Sequence, residues 1–201
     1  MLDDEMTLIR GGNRAPQTKQ RAEPVADRSL KEVVARASGG DVDAFRALFD
    51  RYGERVRAYT RVRLGWGEDA GDAVQDVFLA AWSGLPNFRY EHEGSFPGWL
   101  FGIARHVVGE HRRRRGRTVL VPLDEAPETT VEFEGQSLSR RLLVCELERL
   151  PRSQQETLVL RFIVGLSLRQ VATALGKTER AITAMQLRGL ETLKHRLRSV
   201  R

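Results

Sequence analysis

The chain has 201 residues, 41% of them hydrophobic, and carries 33 Lys and Arg against 27 Asp and Glu, a formal net charge of +6. That length holds one ordinary domain or two small ones. No run approaches the roughly 20 apolar residues of a membrane span, and no apolar secretory segment follows the acidic start, so the expectation is a soluble, cytoplasmic protein without membrane insertion.

Residues 1–28 mix Gly, Pro, Gln and charge without apolar periodicity and read as a flexible tail. From Ser29 to about Arg115 the pattern is helical. Leu30, Val33, Val34 and Ala37 form one stripe, ended by Gly39 and Gly40. Ala44, Phe45, Leu48, Phe49 and Tyr52 begin a second, continued by Val56, Tyr59 and Leu64. Residues 69–85 make a third, closed by Pro86, and a loop over 87–95 precedes a fourth from Phe96 to about Arg115. These stripes predict a helical bundle that buries Phe45, Phe49, Val74, Phe78 and Trp82.

The pattern breaks over residues 116–136. Gly116, Pro122, Pro127 and Gly135 stand among Asp124, Glu125, Glu128, Glu132 and Glu134, the composition of an acidic linker rather than a core segment. Just before it, Arg112, Arg113, Arg114, Arg115 and Arg117 form a dense basic block. That asymmetry suits a polyanionic partner, although a charge run is also what a solvated face looks like.

Residues 137–201 form a second helical block. Pro151 opens a helix that Gly165 closes; Ser167 caps the next, with Gln170 completing a capping box. Leu168, Val171, Ala172 and Leu175 give that helix one apolar face. Gly176 supplies a sharp turn, and Thr178 caps a longer helix with Ala181, Ile182, Met185 and Leu190 directed inward. Two helices joined by a short glycine turn read as a helix-turn-helix, whose second helix enters the major groove of DNA. Lys177, Thr178, Glu179, Arg180, Thr183, Gln186 and Arg188 face outward, and their types suit bases and phosphates: Arg grips guanine, Gln grips adenine, Thr meets a thymine methyl. A plain helical hairpin with a polar face is the alternative.

These motifs resemble those of the extracytoplasmic function sigma factors, the compact branch of the sigma-70 family. The C-terminal block, with LP at 150–151, QETLVLRF at 155–162, GLS at 165–167, VA at 171–172 and LG at 175–176, is similar to sigma region 4. DAVQDVFLAAW at 72–82 resembles region 2.2, and WLFGIAR at 99–105 resembles regions 2.3 to 2.4. The resemblance runs in order from about residue 29 to the end, without counterparts of regions 1.1 and 3. It implies an all-α chain of two small helical domains, region 2 over 29–115 and region 4 over 137–201, joined by a flexible linker. Its partners would be bacterial core RNA polymerase, promoter DNA and an anti-sigma factor.

By the same resemblance, Asp72, Gln75, Asp76 and Leu79 would dock on polymerase. Phe88, Arg89, Tyr90, Arg105, His106, Glu110, His111, Arg112 and Arg113 would meet the −10 element, and the outward face of the second helix-turn-helix helix would meet the −35 element. An aromatic loop suits capture of a flipped base, which recovers about 1–3 kcal/mol by stacking; for Phe88 and Phe96 a core role is favoured. His106 stands where Asn is usual in the family, and Thr183 and Leu187 stand where Lys and His are frequent. An acidic linker lying in a basic channel of polymerase, or serving as an ordinary tether, is expected to be stretched, because two DNA turns separate the elements by roughly 70 Å.

No enzymatic constellation is legible: there is no nucleophile–base pair and no Gly-rich phosphate loop. His92, His106, His111 and His195 lack zinc-ligand spacing, and Cys145, in a stripe with Leu138 and Leu142, reads as a small buried thiol. Neither metal nor cofactor is expected. The main rival reading is an autonomous helix-turn-helix regulator that works without polymerase docking; a protein that only sequesters polymerase or a regulator is a third.

Overall fold

The computed structural model describes residues 29–114, 143 and 145–199. The tail 1–28, the acidic stretch 116–136 and the stripe positions Leu138 and Leu142 lie outside them. Among the described residues there is no strand.

Four helices make the N-terminal unit: α1 (Leu30–Ser38), α2 (Val42–Leu64), α3 (Glu68–Gly84) and α4 (Ser95–Arg114), with a 3-10 turn over Leu85–Asn87 after α3. Local chemistry sets their ends. Ser29 caps α1 by accepting from the Glu32 amide, and Asp41 caps α2 by accepting from the Ala44 amide at 3.0 Å. That amide, with help from Arg36, holds the Asp41 carboxyl below its usual range. Ser95 fastens the loop before α4, its hydroxyl donating to the His92 carbonyl at 2.6 Å and accepting from the Glu91 amide at 3.3 Å.

The C-terminal unit comprises α5 (Arg152–Leu158), α6 (Leu168–Leu175) and α7 (Glu179–Ser199). The helix expected from Pro151 to Gly165 changes winding midway, since Val159–Ile163 is a π turn. The predicted capping box of α6 is present, with Ser167 Oγ accepting from the Gln170 amide and Gln170 Oε1 from the Ser167 amide. Gly176 takes the left-handed conformation at φ 61°, which a β-carbon would strain, and Thr178 caps α7 by accepting from the Ala181 amide at 3.2 Å.

The core departs from the sequence reading at four places. Phe49 is 38% exposed and Leu190 40% exposed, both at the margins of their stripes. Phe45 and Trp82 are half-buried and stack edge-to-face at 4.8 Å. Cys145 is exposed rather than buried: the apolar contacts of its turn are made by Leu147 and Leu150, which pack with Leu158 and Leu193.

The two units are not separate bodies. One apolar cluster runs from Val34, Tyr59 and Phe101 of the N-terminal unit to Leu160, Leu166, Val171 and Ile182 of the C-terminal unit. Among the described elements, the most extensive helix pairing is α4 against α6, across the unit boundary.

Candidate nucleic-acid interface

The exposed face of α3 carries the residues expected to dock on a partner. Asp72 and Gln75 are exposed, and Leu79 stands 65% exposed between buried Val74, Val77 and Phe78. Leu79 thus presents an apolar side chain to solvent on a helix whose other face fills the core. Asp76 differs: its Oδ2 lies 2.8 Å from His111 Nε2. That contact ties α3 to α4 and gives both residues an internal task, with the His111 side chain only 13% exposed.

The aromatic loop sits against the N-terminus of α4. Phe88 packs at 4.8 Å on Trp99 and at 5.8 Å on Phe96, and Phe96 is 1% exposed. Both phenylalanines are core residues, as the sequence favoured. Arg89 is exposed. Tyr90 is half-buried, and burial, with Glu93 nearby, raises its phenol above the usual value.

Along α4, Arg105 and His106 are exposed, and Glu110 lies within 3.3 Å of His106 and 3.8 Å of Arg113. Arg113 and Arg114 end the helix on its exposed side, where the C-terminal dipole favours cations. Arg112 is turned inward, its guanidinium pulled below the usual range by burial and by the cations Arg63 and Arg152.

On the helix-turn-helix, Lys177, Thr178, Glu179, Arg180, Thr183 and Arg188 are exposed. Arg188 is exposed and donates from its Nε to the Ala184 carbonyl at 3.2 Å, and Leu187 beside it is 61% exposed. Gln186 is held inside: its Oε1 accepts from Arg161 Nε at 3.0 Å, and Arg161 also bonds the Leu166 carbonyl.

The sequence reading missed a polar cluster joining the units. Arg63 on α2 meets Glu156 on α5 at 2.9 Å, with side chains 2% and 5% exposed. Tyr59 donates to the other Glu156 oxygen at 2.9 Å, and Arg63 Nη1 donates to Gln155 Oε1 at 2.6 Å. Arg55 donates to the carbonyls of Val164 at 2.9 Å and Gly165 at 3.1 Å. A signal was present: Arg63 extends the buried stripe Tyr52, Val56, Tyr59, a position where a charge must find a partner. Among the described residues no His, Cys, Asp and Glu cluster could hold a metal, and no helix is long and apolar enough to cross a membrane.

Comparison with known proteins places this geometry. A family model for sigma-70 region 2 matches residues 48–118, and one for sigma-70 region 4 matches residues 140–193. The chain is 36% identical over 179 residues to the ECF RNA polymerase sigma factor BldN of Streptomyces coelicolor, covering 85% of this chain and 67% of that protein. It is 35% identical over 177 residues to the ECF RNA polymerase sigma factor SigD of Mycobacterium tuberculosis, covering 82% of each. Among solved structures, CnrH in complex with the cytosolic domain of CnrY matches at a TM-score of 0.66 and 26% identity, over 84% of this chain and 97% of that one. The fold of RpoE from Bartonella quintana, solved with the anti-sigma factor NepR, matches at a TM-score of 0.62 and 21% identity over 80% of this chain and 100% of that one. The ordered pair of region matches and relatives aligned over most of their length identify the chain as a member of the extracytoplasmic function sigma factors of the sigma-70 family.

Proposed function

We propose that this sigma factor directs RNA polymerase to its promoters by dividing the work between its two helical units. The N-terminal unit docks on core polymerase through Asp72, Gln75 and Leu79 of α3, with Asp76 contributing its exposed edge. It reads and opens the −10 element with Arg89 and Tyr90 of the loop and Arg105, His106 and Arg113 of α4. The C-terminal unit reads the −35 element with Lys177, Arg180, Thr183 and Arg188. Phe88, His111, Arg112 and Gln186 serve by positioning these groups, since each is packed or bonded inside.

The observation that carries this reading is the coexistence, in family order, of an exposed apolar anchor on α3 and an exposed basic face on a capped helix-turn-helix. A dedicated DNA regulator has no use for the first. An anti-sigma partner fits the same reading, since RpoE of Bartonella quintana, whose fold this chain shares, has been solved with the anti-sigma factor NepR.

The test is transcription reconstituted from purified core polymerase, this chain and genomic promoter fragments. Specific initiation is expected only with both proteins present. Sequence-specific DNA binding without polymerase, together with no effect on initiation, would replace this reading with an autonomous regulator.

A further inference from the structure

We infer that the cavity between α4, α5 and the turn ahead of α7 binds a compact diphosphate, either free pyrophosphate or the diphosphate of a nucleotide. Three cations line it, Arg105 of α4, Arg152 of α5 and Lys177 of the turn, with Glu156 among them. Its volume of about 270 Å³ falls just below the roughly 300–1,000 Å³ of sites that enclose a drug-sized ligand. A diphosphate fits that space, whereas the base of a nucleotide would have to project from the mouth. Local structure fixes the donors. Left-handed Gly176 turns the chain so that the Lys177 amide donates to the Ala172 carbonyl at 2.9 Å, and Arg105 follows buried Ala104 on α4.

The fold leaves these cations without counter-charge. Arg152 and Glu156 stand four residues apart on α5, the spacing at which such charges ordinarily pair. Both Glu156 oxygens are already taken, one by Arg63 at 2.9 Å and the other by the Tyr59 hydroxyl at 2.9 Å. Arg152 turns instead toward α4. Its Nη2 lies 3.9 Å from where a β-carbon on Gly109 would stand, and Arg113 Nη1 lies 3.7 Å from the same point. Arg105, Arg152 and Lys177 make no ion pair and no side-chain hydrogen bond among the described residues.

Further cations stand behind the lining. Arg63 is buried, and half-buried Arg112 is pulled below its usual range by burial and then by Arg63 and Arg152, against the opposing pull of Glu156. The carboxylates set against these arginines are Glu156 and Glu148, so cations remain in excess. Guanidinium forks bind phosphate oxygens two at a time, and a diphosphate presents two phosphoryl groups to three cations carried on separate elements. Arg105 and Lys177 are also assigned above to the −10 and −35 faces, so a bound diphosphate takes cations that DNA phosphates need. That consequence rests on the promoter reading; the binding itself does not.

Titration calorimetry on the full chain tests the site, with sodium pyrophosphate, sodium phosphate and ATP as probes at constant ionic strength. Pyrophosphate should bind at a single site, about tenfold or more tightly than phosphate, through its additional charge-assisted hydrogen bonds. Arg152→Gln should weaken pyrophosphate about tenfold or more. Arg46→Gln, which removes an exposed cation of α2 outside the lining, should leave it unchanged. Thermal melting separates lost binding from lost structure. Without anion, Arg152→Gln should melt no lower than wild type, because it relieves repulsion on Arg112. With pyrophosphate at about a hundredfold its Kd, wild type should gain about 5 °C or more and Arg152→Gln should gain little. ATP binding more tightly than pyrophosphate assigns the site to a nucleotide; ATP binding no more tightly assigns it to free pyrophosphate. Equal affinity for phosphate and pyrophosphate, or equal loss in the two variants, overturns the inference. Wild-type chain that binds pyrophosphate but never initiates with polymerase would sink the promoter reading and leave this site standing.

Discussion

Arg63 and Glu156, on helices from opposite halves of the chain, meet at 2.9 Å in a site where neither side chain is more than 5% exposed. Such a pair contributes little against an apolar isostere but is costly to break, because the survivor is left as an unpaired buried charge. Glu156→Ala is therefore expected to lower unfolding free energy by about 3–5 kcal/mol, measured by urea denaturation. Replacing both residues by Met should recover most of that loss. If the double variant is as unstable as the single one, the pair is not the source of the cost.

Tyr59 adds a pH dependence to the same cluster. Burial, and then the neighbouring Glu156 carboxylate, raise its phenol well above 10. The sign follows from linkage: above pH about 10 the unfolded tyrosine loses its proton while the folded one keeps it, so stability falls as pH rises. One such group can contribute up to about 1.4 kcal/mol per pH unit. Tyr59→Phe should weaken the alkaline decline while costing about 1 kcal/mol at neutral pH for the lost hydrogen bond. Parallel stability curves for the two proteins above pH 10 would show that Tyr59 does not titrate as buried.

How much of this was legible in the sequence depended on range. Ser167 with Gln170, Gly176 and Thr178 act within one turn of themselves, and each appears as read. Side-chain direction at stripe margins was less secure: Phe49 and Leu190 satisfy helical periodicity yet remain partly exposed, although Phe49 still packs on Phe78 at 4.7 Å. The union of the units left one trace, Arg63 on the buried stripe of Tyr52, Val56 and Tyr59, but nothing that named its partner. It depends also on Glu156 and Arg55, which look like ordinary surface charges until an element from the other half of the chain arrives. Gln186 misled for the same reason; its partner Arg161 lies on a different helix.

Leu79 separates binding from folding. It is 65% exposed on α3, so changing it removes little from the core. Leu79→Glu should leave the unfolding midpoint within about 0.5 kcal/mol of wild type. If Leu79 is a central anchor of the polymerase contact, core affinity should fall by about 2 kcal/mol or more, read by competition with another sigma factor for core. Undiminished core affinity would move the docking surface off this face.

Arg188 and Gln186 lie two residues apart on α7 yet should fail in different assays. Arg188 is exposed, whereas Gln186 accepts from Arg161, which in turn secures the Leu166 carbonyl ahead of α6. Arg188→Ala is expected to reduce affinity for promoters with an intact −35 element by about 1–3 kcal/mol, with little effect where that element is scrambled and none on thermal stability. Gln186→Ala should lower stability by about 1 kcal/mol through the lost hydrogen bond, and weaken all −35 sequences alike by loosening the turn before α6. If Gln186→Ala instead alters preference at a single base pair with stability intact, its amide reads DNA directly and must leave Arg161 on binding.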